Sequence, residues 1–145
     1  MLKVALFLGL LACASCFFVF PNFGNFVQVN VNDQAVIVAA NYGVGYMSRM
    51  WMGIYHHRLA RIVGAWTQVV NGYIYYKLDL IAGVTTCLKQ NVAFDLLGQC
   101  PFQEGWATYK RCSLSLGRQE NGNFGSLSSW ACVTIPAGDI LTVTA

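Results

Sequence analysis

Charge is what this sequence has least of. Asp, Glu, Lys and Arg make up 10% of its 145 residues, against about 25% in ordinary soluble domains. Nine Lys and Arg stand against six Asp and Glu, a net charge of +3. The cations are scattered without a basic run, which argues against nucleic acid as a partner, because that surface needs clustered positive charge. Beyond the N-terminus no apolar run approaches the ~20 residues that cross a bilayer as a helix, so no membrane span is expected. No Asn-x-Ser/Thr triplet occurs, and N-glycosylation is not expected. No carboxylate pair stands out, and no Cys-x-x-Cys survives past the N-terminal leader. The sequence therefore predicts no metal site and no cofactor.

What the chain does have begins with Met1-Leu2-Lys3 followed by the apolar run Val4 to Ala12. One cation and a short apolar run make a secretory signal, too short to span a membrane. Ala14 and Cys16 supply the small residues before a cleavage site, giving a leader of residues 1–16 and a single domain of residues 17–145. Leu10-Leu11-Ala12-Cys13 also resembles a lipobox, which ranks below simple secretion. The implied location is secreted and extracellular. Four cysteines then remain: Cys87, Cys100, Cys112 and Cys132. An even number in a secreted chain favours two disulfides, with three connectivities open. Sequential pairing would close loops of 100−87 = 13 and 132−112 = 20 residues, each stabilising by roughly 3 kcal/mol.

Along the chain, Phe26 to Asn30 reads as a short strand, with Asn30 or Asn32 capping the next element. From Asp33 to Met50 the apolar spacing is helical, with Val36, Ala39, Ala40, Gly43, Met47 and Met50 on one face. Gly43 and Gly45 cost helix propensity, but small residues let a sheet lie close. Leu59 to Thr67 reads as a strand, and so do Tyr73 to about Ala82, Tyr109 to Leu116, and Phe124 to Ile135. Lys77 and Asp79 fall on one side of their strand. Asn71-Gly72 and Asn121-Gly122 are hairpin signals, since both residue types tolerate positive φ. His56 and His57 are adjacent, so they cannot share one side of a strand, and a metal or acid–base role is disfavoured. The sum is an α+β fold, one long helix wrapped by an antiparallel sheet of four to five strands.

The stretch Gln68-Val69-Val70-Asn71-Gly72 is unusual in keeping two valines beside a hairpin tip. Either the valines face the core, or they form a surface meant to be covered by a partner. A third feature is the cluster of four phenylalanines between Phe17 and Phe23.

Together these residues resemble the secreted, two-disulfide cystatins, protein inhibitors of papain-like cysteine proteases. Gln68 to Gly72 matches the family's Gln-x-Val-x-Gly loop. Thr85-Thr86-Cys87, Cys100-Pro101-Phe102, Cys112-Ser113 and Cys132 match its cysteine framework, and Gly24 stands where the family has its N-terminal glycine. Tyr55-His56-x-Arg58 has a counterpart in some members. The resemblance spans about Phe23 to Val133. It implies sequential disulfides, Cys87 to Cys100 and Cys112 to Cys132. It also implies a reversible, tight-binding wedge that occludes the cleft of papain-like proteases such as the cathepsins. In that wedge Phe23 anchors the N-terminal segment, Gly24 is its hinge, and Gln68, Val69, Val70, Asn71 and Gly72 form the first loop. A domain-swapped dimer is implied as a possible assembly.

The chain departs from the family at the second hairpin loop, where Glu120-Asn121 takes the place of Pro-Trp. Trp130 lies too far along the return strand to replace that tryptophan, and Phe124 is the stand-in the sequence offers. Weakened or altered inhibition, leaning on Phe23 and the first loop, is the expectation. Met52 occupies the position of the asparagine with which some members inhibit legumain, so no legumain inhibition is expected. A non-inhibitory interaction or self-assembling protein is the alternative. An enzyme is disfavoured, because a Cys–His nucleophile needs a free thiol.

Overall fold

The computed structural model describes residues 25–104 and 108–136. The leader, Phe23 and Gly24 lie outside the described residues. Five strands and one long helix run in the order β1 (Val27–Gln28), α1 (Gln34–Met50), β2 (Tyr55–Val70), β3 (Tyr73–Leu88), β4 (Tyr109–Arg118) and β5 (Phe124–Ile135). A short 3-10 helix, Phe94–Gln99, fills part of the β3–β4 connection. The strands form one sheet in the order β1-β2-β3-β4-β5, each antiparallel to its neighbour. This is the expected α+β fold. The fifth strand exists because Val27 and Gln28 pair with Thr67 and Trp66.

The helix starts where its free N–H groups find an acceptor. Asp33, in extended backbone, accepts from the Ala35 N–H at 3.0 Å. The cap is therefore Asp33 and not Asn30 or Asn32. Asn30 instead accepts from the Asn32 N–H at 2.9 Å, a local turn that delivers the chain to the cap. At the other end Trp51 leaves helical backbone, its N–H donating to the Met47 carbonyl at 2.9 Å.

The buried face of α1 carries Val36, Ala39, Ala40, Gly43, Val44, Gly45, Met47 and Ser48. It packs against Ala65 of β2, Tyr76, Leu78, Leu80 and Ala82 of β3, and Cys112, Leu114 and Leu116 of β4. Met50, expected on this face, is exposed. Trp51 covers that end instead, its ring edge-on to His57 at 4.6 Å. Gly43 is needed for close approach, since a Cβ there would lie 3.0 Å from a methyl of Leu114.

Both disulfides join neighbours in sequence, Cys87 to Cys100 and Cys112 to Cys132. Cys112 and Cys132 are direct cross-strand partners in the β4–β5 ladder. Their bridge lies against the helix, with Cys132 Sγ 3.7 Å from Met47 Sδ. Cys87 to Cys100 ties the end of β3 to the connection, where the isolated bridge Thr85–Phe102 continues the pairing.

Replacing Gly43 with valine adds methyl groups where Leu114 leaves no room. The expected outcome is a loss of about 2 kcal/mol, read as a lower urea midpoint at unchanged m-value.

Candidate functional site

The β2–β3 hairpin is registered Val70 against Tyr73, which leaves Asn71 and Gly72 as a two-residue turn. Their φ values are 50° and 79°. Two left-handed residues in succession give the turn whose twist suits a hairpin. Asn71 is the one described residue other than glycine with positive φ, and asparagine bears that conformation at low cost. Of the two readings of the valines, the exposed one holds. Val69 is 71% exposed and Val70 is 39% exposed.

Alternation along the strands sorts the tip into two faces. Val69 pairs with Ile74, which packs on the core, so both lie on the helix side. Val70, Tyr73 and Tyr75 lie on the outer side, and the two tyrosine rings stack with centroids 6.1 Å apart. Both tyrosines are exposed at their rims. Sequence reasoning treats them as ordinary strand residues. The signal that finds them is the same alternation that puts Lys77 and Asp79 on one side.

The β4–β5 turn closes through two 2.9 Å bonds, Gln119 N–H to the Asn123 carbonyl and Gly122 N–H to the Gln119 carbonyl. Asn121 Oδ1 accepts from the Asn123 N–H at 3.1 Å. This turn abuts the first. A Cβ on Gly72 would meet the Glu120 carboxyl carbon at 3.2 Å, so glycine leaves the space that Glu120 fills. On the other flank, Asn25 shares a shallow depression with Gln68, Val69, Val70 and Asn71. Strand β1 runs antiparallel to β2 from Val27 opposite Thr67, which carries the preceding chain toward the first hairpin tip. The five residues Gln68 to Gly72 thus sit between the N-terminal stretch and the second hairpin. Phe23 and Gly24 precede Asn25 in sequence and lie outside the described residues.

Phe124 does not stand in for a missing aromatic on the second loop. Its ring stacks on Tyr42 of α1 at 4.8 Å and leans on Tyr76 at 6.4 Å, part of the inner packing. The Tyr42 hydroxyl donates to the Gly125 carbonyl at 3.0 Å, holding that strand start to the helix. The tip of the second loop is left polar, with Glu120 and Asn121 exposed.

The histidine pair serves the other end of the sheet. His56 Nε2 is 2.9 Å from the Val92 carbonyl, and its own carbonyl accepts from the Thr85 hydroxyl at 2.8 Å. The His57 N–H donates to Ser48 Oγ at 2.9 Å, anchoring β2 to the helix. Both side chains are buried. Burial, with smaller contributions from the charges of Lys110, Lys89 and His56, lowers the His57 pKa from 6.5 to about 4.

A histidine whose pKa is lower in the folded chain binds fewer protons there than in the unfolded one. Stability therefore falls as pH drops from 6.5 towards about 4, by up to roughly 3 kcal/mol. Thermal melts across that window should show the fall, and His57→Phe should flatten it.

No family model matches the chain. Among proteins, it is 37% identical over 81 residues to L-cystatin of Tachypleus tridentatus, covering 56% of this chain and 60% of that one. It is 34% identical over 79 residues to cystatin-C of Bos taurus, covering 54% and 51%. The matches span about half to three-fifths of these curated relatives' length. Among solved structures, dimeric human cystatin F superposes with a TM-score of 0.69 at 24% identity, covering 79% of this chain and 90% of that one. The salivary cystatin of the soft tick Ornithodoros moubata gives 0.60 at 18% identity, covering 76% and 97%. Mouse fetuin-B gives 0.66 at 17%, covering 82% of this chain and 40% of that one. One helix against a five-stranded antiparallel sheet is the fold these proteins share with the chain.

Proposed function

We propose that this chain is a member of the cystatin family and a secreted, reversible and tight-binding inhibitor of papain-like cysteine proteases. It acts by occlusion and not as an enzyme. The observation that carries the reading is the tip of the β2–β3 hairpin. There Val69 stands exposed beside the two-residue turn Asn71-Gly72, with Asn25 on one flank and Glu120 on the other. A turn already fixed in its bound shape loses little conformational freedom on binding, and exposed valines contribute about 25 cal/mol for each Å² they bury.

In this reading Gln68, Val69, Val70, Asn71 and Gly72 enter the protease cleft, and Gly24 lets Phe23 reach a pocket beside them. Cathepsins are the targets to try first. The leader, residues 1–16, is removed on secretion to leave the domain 17–145. Glu120 and Asn121 offer the protease no aromatic anchor, and aromatic anchors commonly dominate interfaces. The weight of binding therefore shifts to Phe23 and the first loop.

A second reading is favoured by the hairpin itself. β2 and β3 are 16 residues each, pair along their length, and are connected by the two residues Asn71-Gly72 alone. Straightening that turn would let two copies exchange strands, and the dimer so formed would have no first loop to insert.

Val69→Asp and Phe23→Ala test the proposal together. Each should raise the inhibition constant for papain at least tenfold, equivalent to about 1.4 kcal/mol, while the melting temperature stays within a few degrees. Parental affinity in both variants contradicts the assignment of these residues. A chain that elutes as a dimer and gains inhibition on dissociation supports the second reading.

A further inference from the structure

The end of the molecule remote from the hairpin tips carries a different surface. Between α1 and β2 the chain turns through Trp51 to Ile54, with Gly53 at φ 123°. Met52 on this turn is 98% exposed, flanked by Met50 at 62% and Ile54 at 64%. Three largely exposed apolar side chains so close together are a surface that a partner would cover. The turn is nevertheless firmly held. Lys89 closes it at both ends, its Nζ donating to the Trp51 carbonyl at 2.7 Å and its N–H to the Ile54 carbonyl at 2.8 Å. The Trp51 ring is braced by His57 and Trp130, with Lys110 Nζ 5.4 Å from its centroid.

The geometry points to this turn as a docking site for an anionic phospholipid surface. Lys89 and Lys110 place positive charge at the base of an apolar tip. Among the residues whose side chains are described, the carboxylates stand elsewhere. Asp33 caps the far end of α1, Asp79 pairs with Arg111 at 2.8 Å, Glu120 sits on the second hairpin, and Glu104 lies beyond the Thr85–Phe102 bridge. Apolar side chains that enter the acyl boundary below a ring of cations are the general chemistry of interfacial binding. Met52 stands clear of the fold and suits a fluid phase that moulds around it. Since β2 and β3 run roughly 50 Å from this end to the hairpin tips, docking leaves the other end free. The inference stands apart from the inhibitory reading.

The test is oxidation footprinting of the full-length chain with both disulfides formed. Dilute peroxide is applied alone, with phosphatidylglycerol vesicles and with phosphatidylcholine vesicles, and Met50 and Met52 are read separately by mass spectrometry. A site-resolved readout separates this turn from the apolar leader. The expected result is at least a fivefold slower oxidation of Met52 with phosphatidylglycerol alone. That protection should fall away in about 1 M salt, where screening reaches ~3 Å, and in Ile54→Asp. Equal protection by both vesicles, or by neither, overturns the proposal. So does protection that Ile54→Asp retains, or protection that grows with protein concentration without vesicles, which indicates a second copy or another protein.

Discussion

Everything in this fold depends on how closely helix α1 can lie against the middle of the sheet. Ala39, Ala40 and Gly43 present almost no side chain, and Leu78, Leu114 and Leu116 fill the gap they leave. Gly43 and Gly45 lose helix propensity of about 1 kcal/mol each, which the buried leucine contacts offset. The β3–β4 ladder begins at Ile74 opposite Arg118, so it sets the two hairpin tips side by side, with Glu120 against Gly72. The proposed inhibitory edge thus rests on the register of the sheet that the helix covers.

The edge combines two chemistries. Val69, Val70 and the stacked pair Tyr73–Tyr75 are apolar, while Glu120 and Asn121 beside them are polar. Phe124 cannot even out that contrast, because Tyr42 and the inner sheet hold its ring. The two ends of the molecule are also set apart. One ends in a hairpin whose shape is fixed by left-handed Asn71 and Gly72. The other ends in an apolar turn locked by Lys89 and braced against buried His57.

Much of this was legible in the sequence, for physical reasons. The helix declared itself through three- and four-residue spacing, and the first hairpin through Asn-Gly, because few residues bear positive φ. The cysteine pairing came from the family resemblance and agrees with the cross-strand register. The residues misread were those whose place depends on distant chain. Asn30 and Asn32 are as good at capping as Asp33, and only the β1–β2 pairing decides which residue reaches the helix start. Met50 carries the correct period but lies where the helix stops and Trp51 takes over. Phe124 looked free because nothing near it in sequence shows that Tyr42 is waiting. Whether Val69 and Val70 faced inward or outward turned on sheet register, which five residues do not contain.

The central claim is that one pre-formed edge plugs a protease cleft without being consumed. The most direct measurement is titration of active-site-counted papain with refolded residues 17–145. The account predicts that activity falls to zero at one chain per active site, returns on dilution, and leaves the chain uncut. Activity that persists past equivalence, or that recovers only as the chain is cleaved, contradicts it.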